Sequence, residues 1–105
     1  MKTKDELKRM VCAAIDAHRD EIIAFADSIA AEPELGFKEF KTSKKFISLL
    51  KSLGRNPRTE VAITGVVDEY QGAKSDIRVA IMGELDAILV ADHPDVPRHQ
   101  TRTYY

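Results

Sequence analysis

The chain has 105 residues and a mass of 11.8 kDa, room for one core but not for a catalytic domain with a separate substrate domain. Sixteen Lys and Arg stand against seventeen Asp and Glu, a formal net charge of -1, and the two signs are interspersed, which excludes a basic surface for nucleic acid or anionic lipid. No apolar run reaches the roughly 20 residues of a bilayer span, and the first residues, MKTKDELKRM, are charged where a signal peptide is apolar. The expectation is a soluble cytoplasmic protein with no nucleic-acid or membrane partner. The single Cys12 has no intrachain disulfide partner and is expected to pack as a small apolar residue.

From the amino terminus, Leu7, Met10, Val11, Ala14, Ile15, Ile22, Phe25, Ala26 and Ile29 recur at three- and four-residue steps, predicting one amphipathic helix. Thr3 and Glu6 form a capping-box pattern at its start, and Pro33 disfavours helical geometry at Glu32. A helix from Lys4 to Ala31 would be about 40 Å long at 1.5 Å per residue. A second helix is predicted from Lys38 to Leu53, with Phe40, Phe46, Ile47, Leu50 and Leu53 on one face and Gly54 just beyond as the left-handed C′ residue. After Gly54 the composition changes. EVAITGVVDEY and DIRVAIMGEL are rich in β-branched residues and flank QGAKS, a hairpin-loop composition. Val79, Ala80, Ile81 and Met82 run without polar interruption, the pattern of an interior strand covered on both faces.

That run ends in Glu84 and Asp86, at the end of a strand, where α/β proteins bind their ligands. Residues two apart in an extended chain face the same side. Two carboxylates in one space repel, so the pair implies a cation, a shared proton or solvent; simple solvation at a strand end is the plainer alternative. Asp92, His93, Pro94 and Asp95 read as a turn rather than a ligand set. His99 carries little signal, and His18 falls on the flank of the first helix.

The segments PELGFKEFKTS, SLG, TGVV and GELDAI, in this order, resemble the N-terminal part of zinc metallopeptidases of the aminoacylase and carboxypeptidase type, and among them the amidohydrolases of N-acyl or N-aminobenzoyl amino acids. The resemblance covers about Asp5 to Asp95. It implies that Asp86, matching the Asp of a His-x-Asp motif, is the catalytic-site residue that orients a metal ligand, and that Glu84, in place of the His, lines the site. It implies zinc or another divalent metal in full-length relatives, held by ligands with no counterpart here, including a Cys-Gly-His segment, and a general base that is also absent. No metal ligand is assigned within this chain, and none is expected to bind to it alone. The substrate class implied is an N-acyl amino acid or a small peptide.

The expected fold class is α/β: two N-terminal helices packed on a small mixed sheet of two to four strands, an incomplete piece of a zinc-exopeptidase-like domain. Residues 1–95 form the N-terminal segment of a metallopeptidase-like catalytic domain on this reading. Residues 96–105 form a divergent tail, expected to be disordered, an ending of the kind a premature stop, a frame change or a split gene leaves. Two functions compete: a hydrolase fragment that is inactive alone, and a non-catalytic interaction module that binds a partner, or itself, through uncovered apolar sheet and helix faces.

Overall fold

The computed structural model describes residues 1–90, in three helices and a two-stranded sheet: α1 (Lys4–Ala17), α2 (Arg19–Ala30), α3 (Phe40–Ser52), β1 (Arg58–Val61) and β2 (Gly65–Val67). The α/β class and the small sheet are as the sequence implies. The turn at 92–95, His93, His99 and the tail from 96 lie outside the described residues. No helix among the described residues is long and apolar enough to cross a membrane. The chain divides into two compact units, Met1–Ala31 and a second beginning at Glu32.

The first unit is α1 and α2. The predicted capping box forms: Thr3 Oγ1 accepts from Glu6 N at 3.2 Å, and Glu6 Oε2 accepts from Thr3 N at 2.7 Å, which satisfies two backbone donors that the first turn leaves open. The single 28-residue helix does not form. His18, at φ -104 and ψ 14, ends α1 and precedes α2. Its N–H is shared between the carbonyls of Ala14 at 3.2 Å and Ile15 at 3.1 Å, the tightened geometry of a helix end. The local sequence supplies the reason: Asp16, His18 and Asp20 are weak helix formers in an interior, whereas Asp20 and Glu21 suit the first turn of a new helix, where backbone N–H groups favour negative charge. The apolar stripe continues across His18, which is why periodicity alone runs the two helices together. Cys12 is exposed rather than packed, because no residue of α1 is buried.

The second unit is organised around α3. Its C-terminus closes as predicted at Gly54, with φ 75. Gly54 N donates to Lys51 O at 3.0 Å and Arg55 N to Leu50 O at 3.0 Å, the two bonds of a Schellman motif. Its start is later than the pattern implies: Glu39 takes the N-cap position and Phe40 is the first helical residue. α3 packs on β2, with Phe46, Ile47 and Leu50 half-buried beside the half-buried Val66 and Val67.

The hairpin does not turn at QGAKS. β2 lies inside the first predicted strand segment and β1 overlaps its start, beginning two residues earlier at Arg58; they pair antiparallel, Arg58 with Val67 and Val61 with Gly65. Three steps along β1 match two along β2, so β1 carries one extra residue, and Glu60 at φ 57 marks the bulge. The turn is Ala62, Ile63 and Thr64, with Ala62 at φ 48 and Ile63 at φ 82. Gly65 is required here, since a Cβ on it would collide with the Val61 carbonyl oxygen. A positive φ at a β-branched residue is strained, and the turn is held by an anchor on Thr64 described below.

The interior strand predicted from Val79 to Met82 is also absent. Residues 77–86 belong to no helix or ladder, and Val79, Ile81 and Met82 are 84%, 99% and 93% exposed. A strand covered on both faces needs a neighbouring edge and two covering layers; the described residues offer this segment neither. Its chain regains order at Ala87, which forms a single parallel bridge to Leu35.

Candidate functional site

The best-buried side chains of the described residues are polar. Thr42 is 2% exposed, Glu39, Ser43 and Thr64 are each 7% exposed, and Ala87 is the one buried apolar residue among them. Burying hydroxyls and a carboxylate costs free energy unless each is hydrogen-bonded. No buried side-chain polar atom among the described residues is left without a partner. The segment that supplies the acceptors is PELGFKEF, between Pro33 and Phe40.

Two glutamates in that segment divide the labour. Glu34 reaches the N-terminus of α3: Oε2 accepts from Lys41 N at 3.1 Å, and Oε1 accepts from Thr42 N at 2.6 Å and Thr42 Oγ1 at 2.8 Å. The Lys41 and Thr42 amides are open backbone donors of the first turn, and the carboxylate also meets the positive end of the helix dipole. Glu39, at the N-cap itself, makes no capping bond. Its carboxylate accepts from Phe37 N at 3.0 Å and from Thr64 Oγ1 at 2.6 Å. That second bond ties α3 to the strained hairpin turn.

The Thr64 hydroxyl first, then the backbone amides of Glu39 itself and of Phe37, hold Glu39 below the ordinary carboxylate value against the opposing effects of burial and of the Glu34 charge. For Glu34, burial is the largest influence and would raise the value, but the bonds from Thr42 and Lys41 together outweigh it and the net shift is downward. Glu32 is lowered by ion pairs with Lys45 at 2.8 Å and Lys41 at 3.2 Å.

The segment carrying Asp86 meets this network through the backbone. Ala87 N donates to the Glu34 carbonyl at 2.7 Å, beside the Leu35 bridge. Asp86 then lies over Gly36: a Cβ on Gly36 would be 3.9 Å from Asp86 Oδ2 and 4.0 Å from Glu39 Oε1. The absence of a side chain at Gly36 leaves that space between the two carboxylates open. Asp86 is exposed toward solvent, and Glu84 is exposed and paired with no described residue.

Glu34, Glu39, Thr42 and Thr64 are the residues that sequence reasoning missed. PELGFKEFKTS marks the right segment, but the pairings 34 with 42 and 39 with 64 follow no local spacing rule. His18 sits at the helix junction with Nδ1 3.4 Å from Glu21 Oε2, a surface contact in the first unit. Among the described residues, no three His, Cys, Asp or Glu side chains converge as a metal site. Glu34 and Glu39 already accept five N–H and O–H bonds between them.

Elsewhere in the second unit, Arg55 grips the end of the hairpin. Its guanidinium donates to both oxygens of Asp68, at 2.7 and 3.3 Å, and to Glu69 O at 2.6 Å, with Tyr70 stacked 5.3 Å away. This bidentate clamp closes the β2 exit.

Comparison with known proteins gives several relatives. Over 91 residues the chain is 31% identical to the putative amidohydrolase YhaA of Bacillus subtilis (strain 168), an alignment covering 87% of this chain and 23% of that protein. It is 31% identical over 90 residues to the N-acyl-L-amino acid amidohydrolase of Geobacillus stearothermophilus, covering 86% and 23%. It is 35% identical over 78 residues to thermostable carboxypeptidase 1 of Saccharolobus solfataricus, covering 73% and 20%. The chain thus spans between a fifth and a quarter of the length of these curated relatives. No family model matches it, and no solved structure matches it.

Proposed function

We propose, for a chain that belongs to the amidohydrolase and carboxypeptidase family, that it supplies one part of a hydrolase site cleaving the amide bond of an N-acyl amino acid or small peptide. Residues 1–95 are the N-terminal segment of a metallopeptidase-like catalytic domain on this reading, and residues 96–105 a divergent tail. The observation that carries it is the seat of Asp86, fixed through Ala87 to the Glu34 carbonyl and aligned over Gly36. Asp86 orients a ligating side chain, and Glu84 lines the substrate side.

The described residues do not by themselves fit a catalytic zinc or another divalent ion. Such a centre takes about three protein ligands around an open position; Glu34 and Glu39 are committed to the α3 N-terminus and the hairpin turn, and no three His, Cys, Asp or Glu side chains converge among the described residues. The metal that the family resemblance implies therefore has its ligands, like the general base, in other residues, and the chain alone is inactive.

The test is complementation. The chain is co-expressed with the remaining three-quarters of the Geobacillus N-acyl-L-amino acid amidohydrolase, and hydrolysis of an N-acyl amino acid is followed. Activity is expected from the complex, from neither part alone, with loss on chelation; Asp86→Ala lowers it about 10- to 100-fold, the usual cost of losing a residue that orients a metal ligand. An inactive complex of both parts overturns the reading, and chelator-sensitive turnover by the pure chain overturns its inactivity.

A second reading, an interaction module, is favoured by the exposure of Ile77, Val79, Ile81 and Met82. It requires concentration-dependent association in light scattering, and a monomer at every concentration rejects self-association.

A further inference from the structure

We infer that Glu34 is a positioning residue for Asp86: its carboxylate, by capping α3, fixes the backbone carbonyl to which the Asp86 segment is clipped. The inference rests on the proposed role of Asp86 and extends it to a residue with no part in the reaction itself.

Glu34 acts in two directions at once. Its side chain takes the Lys41 and Thr42 amides and the Thr42 hydroxyl, and its carbonyl takes the Ala87 amide at 2.7 Å. Asp86 is one residue from that amide. The Ala87 amide bond and the Leu35 bridge tie the backbone of this segment to residues 34 and 35. The position of Asp86 thus depends on the position of residues 34 and 35.

Those residues follow Pro33 and belong to no helix or named strand, so their own geometry needs an external constraint. The buried end of α3 supplies it, through three bonds on one carboxylate. The division between the two glutamates makes this possible. Because the N-cap residue Glu39 turns to Thr64 and Phe37, the α3 amides remain free for Glu34. Loss of the Glu34 carboxylate releases the loop from α3, and with it the Ala87 bond and the seat of Asp86 beside Gly36.

The experiment uses the full 105-residue chain, isotope-labelled, and reads amide hydrogen exchange together with the side-chain carboxyl carbon resonance of Asp86. Leu50→Ala is the structural control, since it removes a half-buried apolar contact on α3 and leaves the cap intact. Glu34→Ala is expected to speed exchange at Ala87 about 5- to 30-fold beyond its effect on the central α3 amides, the factor that loss of a cap represents, and to move the Asp86 resonance. Glu34→Gln keeps one carbonyl oxygen for Thr42 but loses the second acceptor for Lys41, and recovers part of both signals. Leu50→Ala raises exchange across the unit uniformly and leaves the Asp86 resonance in place. Should Glu34→Ala fail to fold, Glu34→Gln and Thr42→Val carry the comparison, each removing a single bond of the cap.

Matching patterns for the Glu34 variants and Leu50→Ala, or an unmoved Asp86 resonance, overturn the inference. These measurements need no turnover. An inactive complex in the complementation assay sinks the proposed reaction and leaves the positioning of Asp86 to be decided by exchange and resonance alone.

Discussion

Removing the bond between Glu39 and Thr64 tests what holds the hairpin turn to α3. Thr64→Val deletes the hydroxyl that donates to Glu39 Oε2 at 2.6 Å, in a site where both residues are 7% exposed, so water replaces the lost donor poorly. A hydrogen bond to a charged group contributes about 1.5–3 kcal/mol, and Thr64→Val is expected to destabilise by that amount. Glu39→Ala also strands the Thr64 hydroxyl and the Phe37 amide, at about 1–3 kcal/mol for each unpaired group, or roughly 2–6 kcal/mol together. The double variant is expected to cost less than the sum of the two, by a coupling of about 1.5–3 kcal/mol, because each single change already breaks the same bond. Urea unfolding at pH 7 by circular dichroism measures all three. At a slope of about 1–3 kcal/mol per molar urea, Thr64→Val lowers the midpoint by about 0.5–3 M. Additive costs, with coupling under about 0.5 kcal/mol, would show that the turn is held by something other than this bond.

Acid should loosen the same network. Glu32, Glu34 and Glu39 all lie below their ordinary value of 4.5 when folded; their contribution is therefore complete above 4.5 and lost as pH falls through the lowered folded values. The urea midpoint is expected to be flat from pH 7 to about 5.5 and to fall from 4.5 downward; a midpoint that stays level or rises between 4.5 and 3 contradicts the assignment. Ile63 tests the turn from the other side. It is β-branched, exposed, and held at φ 82, so Ile63→Asn, which tolerates left-handed backbone better, is expected to stabilise by about 1 kcal/mol. Thermal unfolding should rise by roughly 4–8 °C, and a lowered transition rejects the idea that strain is stored there.

What the sequence disclosed was local. The capping box at Thr3 and Glu6 and the Gly54 terminus are written in residues three or four apart, and both formed. Asp86 is legible at the end of an apolar run, but the strand predicted for that run did not form. The break at His18 was hidden because the apolar stripe keeps its period through it, and only the weak helix formers around it hint at two helices. The hairpin was misplaced for a different reason: QGAKS has the composition of a turn, whereas Ala62, Ile63 and Thr64 do not. Their turn depends on Gly65 admitting the Val61 carbonyl and on a carboxylate 25 residues away. The cap from Glu34, eight residues before Thr42, likewise matches no helix-start pattern. Long-range polar pairing leaves no periodicity to read.

The uncovered segment between Asp76 and Glu84 also bears on how the protein behaves at high concentration. Stacked cross-β growth favours about six or seven consecutive residues of high β propensity and low charge. Here Arg78 stands on one side of Val79–Met82 and Gly83 with Glu84 on the other, so the uninterrupted stretch is four residues long. Charge and glycine act as gatekeepers, keeping a bare apolar ribbon below the length at which copies zip into fibrils. Exchanging Arg78 for an aliphatic residue would join Ile77 to the run and remove that guard.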